Sequence, residues 1–290
     1  MTAIRSVVAG TDFSPASEVA VRRASRLAAE HGAALCLLHA FDSKARQHPE
    51  AAADGRRSPG QESADAPTQQ RLADFAASLA ARTGREVAVH FGLGPPAKVI
   101  ATYVAAHVGS LVVIGSSAEP TLAGLGSTAL KVVRRPACPV LIVRAVEDRP
   151  YETVLSAVDL REGSVRAASL AVTLFPAAHH QLLYALDGLP AASDEVDEEA
   201  LHRLHESLYA QAERDLRTLA GRLSGAARHP VVAIVADDVP ARAILVGAAD
   251  LAADCVVVGH HGQGRATNSN LGSMAQHVIY SALSDVLVVP

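Results

Sequence analysis

Short apolar runs recur along the chain, each followed by a polar turn and then by apolar residues at helical spacing. Ile4–Gly10 (IRSVVAG) reads as a Val/Ile strand. Thr11-Asp12-Phe13-Ser14-Pro15 ends it, with Ser14 a good N-cap and Pro15 suited to the first helical position. A helix follows to about His31, with Val19, Ala20, Ala24, Leu27 and Ala28 on one stripe, and Gly32 stops it. Ala34–Phe41 (ALCLLHAF) is almost continuously apolar, as a parallel strand covered on both faces must be. Asp42–Pro67 has no periodicity and is rich in Ala, Ser, Pro, Gly and charge, the composition of an exposed, mobile insertion. Helical spacing returns over Thr68–Thr83. Strands are expected at Glu86–Phe91, Leu111–Gly115 and Val140–Val143, with helices at Ala97–Val108 and Thr128–Arg135 between them.

The pattern then starts again. Thr153–Val158, Gln181–Leu186, Pro230–Val235, Asp254–Val258 and Asp285–Val289 read as strands. Gly163–Leu174, Ala200–Leu223, Pro240–Ala252 and a segment opening at Met274 read as helices, and Gly188–Glu199 as a second insertion. Asp12 and Asp159 are 147 positions apart; Gly126 and Gly272, like Val140 and Val286, are 146 apart. A nearly constant offset over the whole chain means two copies of one unit. The fold class expected is α/β: two tandem doubly wound five-stranded parallel-sheet domains, residues 1–146 and 151–290, joined by the charged AVEDRP segment.

Candidate chemistry concentrates in Val256–Ser273. An apolar run ends in Gly259; Gly262 and Gly272-Ser273 follow at Gly-x2-Gly-x9-Gly-Ser spacing, before a helix. A strand, a glycine-rich loop and a helix start form a plausible phosphate cradle, because glycine admits close approach and the helix start offers unpaired N–H groups. At this motif the chain resembles the universal stress protein family, in its ATP-binding branch, and the resemblance covers both copies. It implies a Rossmann-like, adenine nucleotide alpha hydrolase-like domain, with ligand at the carboxyl ends of the first and fourth strands. Carried onto the second copy, the site comprises Ala157, Val158, Asp159, Ala185, Val258, Gly259, Gly262, Gly272, Ser273 and Met274. Asp159 would contact the adenosine part, and Ala185 would flank the base. The glycines and Ser273 would hold phosphates of ATP, with Mg²⁺ as companion. A strand-end acid capping the next turn is the bland alternative for Asp159, and a plain helix cap that for Ser273. Arg161 stands where it could meet phosphate or simply be solvated.

The first copy keeps Thr11, Asp12 and Ala40 on the adenosine side, and Gly115, Gly126 and Ser127 at matching positions. Its loop is two residues shorter, Ala118 replaces the second glycine, and Glu119 adds negative charge. Weak or absent nucleotide binding is expected there.

Composition narrows the classes. The chain has 290 residues, 49% hydrophobic and 19% charged, with a formal net charge of −4. It can form packed cores, and it lacks the broad basic surface that nucleic acid or an anionic membrane would need. Aromatics are 3% with no Trp, too few for a base-stacking platform. Cys36, Cys138 and Cys255 form no disulfide framework; the first and last read as core thiols. With no signal-peptide core and no membrane span, cytoplasmic placement is the default. His39 reads as a core histidine at a strand end. His260-His261 read as loop residues near phosphate, and His202 and His205 share a helix face without a complete metal set. No nucleophile elbow, P-loop or His-Glu-x2-His motif is present.

Three readings stay open. The first is a nucleotide-binding stress-response regulator, in which ATP orders Gly262–Leu271 and changes a surface seen by a protein partner. The second is a slow ATPase or adenylate-transferring enzyme. The third is an interaction module without nucleotide. The family resemblance also implies pairing through the fifth strands, Val140–Val143 and Val286–Val289, within one molecule; a homodimer of the tandem chain is a separate expectation.

Overall fold

The structure, a computed structural model, describes residues 4–41, 59–116, 127–134, 138–187, 198–260 and 271–290. Contacts divide the chain into two compact units, Met1–Asp148 and Arg149–Pro290.

Unit 1 runs β1 (Ser6–Gly10), α1 (Pro15–Glu30), β2 (Ala34–Phe41), α2 (Pro59–Thr83), β3 (Val87–Leu93), α3 (Pro96–Ala106), β4 (Ser110–Gly115), α4 (Ser127–Arg134) and β5 (Val140–Val143). Its strands are parallel in the order β3-β2-β1-β4-β5. Unit 2 repeats this with β6 (Thr153–Ala157), α5 (Glu162–Leu174), β7 (His179–Ala185), α6 (Glu198–Ser224), β8 (Val232–Ala236), α7 (Pro240–Asp250), β9 (Cys255–Gly259), α8 (Ser273–Ser281) and β10 (Asp285–Val289). Its order is β8-β7-β6-β9-β10, again parallel. The doubly wound α/β class expected from the alternating pattern is the class found. In each unit the strand order reverses beside the first strand, and there an open α/β sheet has its crevice.

The apolar runs fill the cores. Val7, Val8 and Ala9 of β1, and Val256, Val257 and Val258 of β9, are fully buried. Helix α1 starts as the sequence predicts: the Ser14 hydroxyl accepts from the Ser17 N–H at 3.2 Å, and Pro15 opens the helix. Helix α2 departs from expectation. It begins at Pro59, not Thr68, and carries Pro67 inside it. Ala66 and Pro67 are exposed, so this part of the helix has no apolar stripe for periodicity to find. A helix interrupted by proline forgoes a backbone hydrogen bond without having to end. Helix α6 likewise opens inside the predicted second insertion, at Glu198. The remainder of both insertions lies outside the described residues. Several other boundaries shift by one to three residues, as ends set by hydrogen bonds do.

Arg26 donates to Asp148 at 2.8 Å, tying the segment after β5 back to α1. In unit 2, Asp254 accepts from the Glu152 and Thr153 N–H groups at 2.7 and 2.9 Å and from Arg149 at 2.6 Å. The buried Tyr151 hydroxyl donates to the buried Asp285 carboxylate. Cys36 and Cys255 are buried and Cys138 is half-buried, all three as free thiols. No helix among the described residues is long and apolar enough to cross a membrane.

His180 on β7 is completely buried, with Nε2 at 2.8 Å from the Phe175 carbonyl and Nδ1 without a partner. Burial holds its pKa below 6.5; neighbouring His179 adds to this and the Phe175 carbonyl opposes it. The ring is therefore neutral in the fold while the unfolded chain takes up a proton below about 6.5. Its stability contribution is present above that pH and is lost as pH falls toward the folded value. Thermal unfolding followed from neutral to mildly acidic pH should show the midpoint falling less in His180→Gln than in the parent chain. Parallel pH profiles would refute this.

Candidate functional site

In unit 2 the site is built from the ends of β6 and β9 and the starts of α5 and α8. Strands β6 and β9 pair in register, Val154 opposite Cys255 and Ser156 opposite Val257, so their carboxyl ends lie side by side. The sequence leaves β6 through Asp159-Leu160-Arg161. Asp159 Oδ1 accepts from the Arg161 N–H at 3.1 Å and from the Ser164 hydroxyl at 2.5 Å. Leu160 sits between them at φ +62°. Left-handed backbone costs a non-glycine residue about 1–2 kcal/mol, and the Asp-centred hydrogen bonds hold it. The same turn occurs in unit 1, where Phe13 has φ +62° and Asp12 Oδ1 accepts from the Ser14 N–H at 3.0 Å. The strand-end capping role is thus realised by both aspartates. Asp159 keeps Oδ2, 4.0 Å from Arg161 Nε. For Asp12, burial opposes ionisation, but hydrogen bonds from Ser14 and Ser17 outweigh it and hold the carboxyl below 3.8.

The other wall is the β9–α8 junction. Gly259 ends β9, and His260 follows, buried. The His260 N–H donates to the Val289 carbonyl at 2.7 Å, and its carbonyl accepts from the Gly272 N–H at 3.0 Å. This bracket seats the start of α8 at the carboxyl end of the sheet. Gly272 is the cap residue, its carbonyl accepting from the Gln276 N–H at 2.8 Å. No side chain caps α8, so the exposed Ser273 hydroxyl is not spent on that task. The first-turn N–H groups of Ser273, Met274 and Ala275 face no intrahelical acceptor, as at any helix start.

The structure places the remaining expected residues as follows. Ala157 and Val158 are buried at the end of β6, with Val158 in the cluster of Ala168, Val172, Leu182 and Leu216. Alternation along the strand sets Ala157 on the opposite face. Ala185 ends β7, half-buried, opposite Ala236 of β8. Val258 is fully buried in β9, and Met274 is half-buried. His260 lies in the connection after β9, as expected, and is buried. Its backbone, closing the strand end onto the helix, could not be read from residue type. Gly262, His261 and Arg265 lie outside the described residues, as does most of the segment expected to order around ligand.

In unit 1, Thr11 is buried, its hydroxyl 3.2 Å from that of Ser17 and accepting from the Phe13 N–H at 3.1 Å. Ala40 pairs with Gly92, and Ser127 opens α4. Gly126, Ala118 and Glu119 lie outside the described residues. Gly115 has a packing role that the motif did not reveal. A Cβ there would stand 2.4 Å from the Ala16 carbonyl oxygen, so glycine is what lets α1 approach the end of β4.

The sequence reading missed an aromatic shelf beside Asp12. His39 Nδ1 lies 2.8 Å from the Thr11 carbonyl, and its ring is 4.9 Å from Phe13 and 5.8 Å from Phe91. Phe75 flanks Phe13, and the Arg71 guanidinium sits 4.2 Å from the Phe13 ring centre. His39 is half-buried in this shelf, so the core position expected for it is corrected. The physical reason is that β2 ends there, at the sheet rim. The corresponding face of unit 2 carries Leu160 and Tyr184 against an aliphatic cluster. Phe13, Phe75 and Phe91 are scattered along the chain and carry no local signal; the pairing of β1, β2 and β3 and the packing of α2 gather them.

His202 and His205 take separate partners, Glu206 at 3.3 Å and Asp237 at 3.1 Å. Among the described residues no group of three or more His, Cys, Asp or Glu is placed to hold a metal ion.

Comparison with known proteins accords with this architecture. Universal stress protein Rv2005c of Mycobacterium tuberculosis and universal stress protein Mb2028c of Mycobacterium bovis are each 34% identical over 188 residues. That match spans 61% of this chain and 61% of each relative. Among solved structures, a universal stress protein of Archaeoglobus fulgidus superposes with a TM-score of 0.69 at 17% identity, covering 99% of both chains. PA1789 of Pseudomonas aeruginosa, described as functionally unknown, gives 0.65 at 21% identity over 99% of this chain and 92% of its own. At these identities the structural likeness is one of fold. The model of the universal stress protein family matches residues 3–144 and again 150–290, one match for each unit, and the chain belongs to that family.

Proposed function

We propose that this protein is a nucleotide-binding stress-response regulator that holds ATP in unit 2, at the carboxyl ends of β6 and β9. The observation that carries this reading is the β9–α8 junction. His260 pins Gly272 by its backbone, and the three following N–H groups open toward the rim of the sheet without a side-chain cap. A helix start so placed suits a phosphate group, by its donors and by its dipole. Arg161, its Nε 4.0 Å from Asp159 Oδ2, supplies a cation at the end of β6, and in this reading a ribose or base donor would share Asp159 Oδ2 with it. Mg²⁺ would enter with the phosphates. Asp159 Oδ1 is already engaged by Arg161 and Ser164, which suits holding a ligand better than moving a proton. Binding without efficient turnover is therefore the role this proposal gives the site. Unit 1 presents Ser14 where unit 2 has Arg161, so it is the poorer phosphate site.

Calorimetric titration of the chain, stripped of carried-over ligand, with ATP and Mg²⁺ tests this. Saturation at one site per chain is the expected result. Two sites would give unit 1 the same capacity as unit 2. No heat, with no binding in a second assay, would overturn the nucleotide reading. Steady release of ADP at saturation would replace regulator with enzyme.

A further inference from the structure

Unit 1 contains a cleft of about 550 Å³, partly open to solvent, lined by α3, α4 and the β4–β5 side of its sheet. This is within the range of small-molecule sites, about 300–1,000 Å³. Its walls are apolar: Ile100 and Val104 from α3, Val132 from α4, and Val112 and Val140 from the sheet, each at most 6% exposed. Lys98, Lys131 and Arg134 also line it. Lys98 lies in the first turn of α3, and Lys131 and Arg134 in the last turn of α4. Among the described residues, neither lysine has a carboxylate partner. An apolar cleft with ammonium groups at its edge is complementary to an anion carrying an apolar tail.

The repeat shows that the fold does not require these cations. At the matching helix positions of unit 2, Lys131 and Arg134 become His277 and Tyr280. The counterpart of Lys98 is Arg242, whose Nε is 3.3 Å from Asp238. The cluster of positive charge is a property of unit 1 alone. We infer that the α3–α4 cavity of unit 1 binds a single-chain aliphatic carboxylate, its tail on Ile100, Val104 and Val132 and its head on Lys98 and Lys131. This site is distinct from the nucleotide crevice, and the inference does not depend on it.

Cys138 lines the same cavity and reports on it. Burial pushes its thiol up to about 11, only partly offset by the Val112 N–H, so alkylation is slow and readily timed. Cys36 and Cys255 are buried and serve as internal references. N-ethylmaleimide labelling, read by mass spectrometry on the full chain, should slow at Cys138 by at least about fivefold under saturating decanoate, with the reference thiols unchanged. Calorimetry should give decanoate a Kd at least about tenfold below that of decanol, a difference set by the head group. The exposed double substitution Lys98→Glu/Lys131→Glu should raise the decanoate Kd by at least about tenfold. Unchanged labelling, equal affinity for decanol, or undiminished binding in the double variant would each overturn the proposal. So would binding to vesicles of anionic phospholipid without binding of free decanoate, since that would make the cations a membrane-facing patch.

Discussion

Gly272→Glu is expected to abolish ATP binding in unit 2 while leaving its thermal stability unchanged or slightly raised. The two effects separate because both arise at one helix end. Gly272 has φ −58° and ψ 145°, a backbone state any residue adopts, and its N–H is committed to the His260 carbonyl. A glutamate there keeps the backbone bond and brings a carboxylate to the free N–H groups of Ser273, Met274 and Ala275. A negative side chain at a helix N-terminus stabilises by about 0.3–1 kcal/mol, so α8 has no reason to melt. The same carboxylate occupies the place of the phosphates and repels them. The loss should be at least about 100-fold in Kd, or about 2.7 kcal/mol. Calorimetry and a thermal melt on the same sample check both halves. ATP binding within threefold of the parent would remove the α8 start from the site, and a fall in melting temperature would make the variant uninformative about phosphate.

Gly115→Ala should destabilise unit 1 by about 3 kcal/mol, the upper end for an overpacked site. The added methyl would meet the Ala16 carbonyl oxygen at 2.4 Å, its carbon at 2.6 Å and the Ser17 N at 3.1 Å. These are backbone atoms of the first turn of α1, so no rotamer change relieves the overlap. Relief requires moving α1, whose Ala20, Ala24 and Ala28 are fully buried against the sheet. Gly221→Ala is the matched control. It lies inside α6 with nothing within 4 Å of the added carbon. There alanine should stabilise by about 1 kcal/mol through helix propensity. Chemical denaturation of both variants tests the contrast; a Gly115→Ala chain as stable as its parent would show that α1 shifts freely. The result would also explain why a glycine stands at the end of β4, although the loop after Gly115 lacks the second glycine of the motif. Packing retains it independently of any ligand.

Much of the architecture was legible because it rests on local physics. Short β-branched runs such as Val256–Val258 read as strands covered on both faces, and Ser14-Pro15 announces a helix start by its own chemistry. The offset between Asp12 and Asp159 exposed the duplication, and the Gly-x2-Gly-x9-Gly-Ser spacing pointed to the β9–α8 junction. What stayed hidden depended on neighbours far along the chain or on exposed surface. Ala66 and Pro67 of α2 are exposed, and the stretch before Thr68 offers no apolar periodicity to read. His260 became a buried bracket only because β10 supplies the Val289 carbonyl. Phe13, His39 and Phe91 form a shelf only because β1, β2 and β3 pair in that order. Lys98 and Lys131 are more than thirty residues apart in sequence, and the packing of α3 beside α4 puts them on one cavity. The sequence by itself therefore determined the units, their strands and the glycine motif, each written within a few residues of itself. Tertiary structure alone decided what those residues meet, because register, helix approach and burial are set by contacts between segments that the chain brings together only on folding.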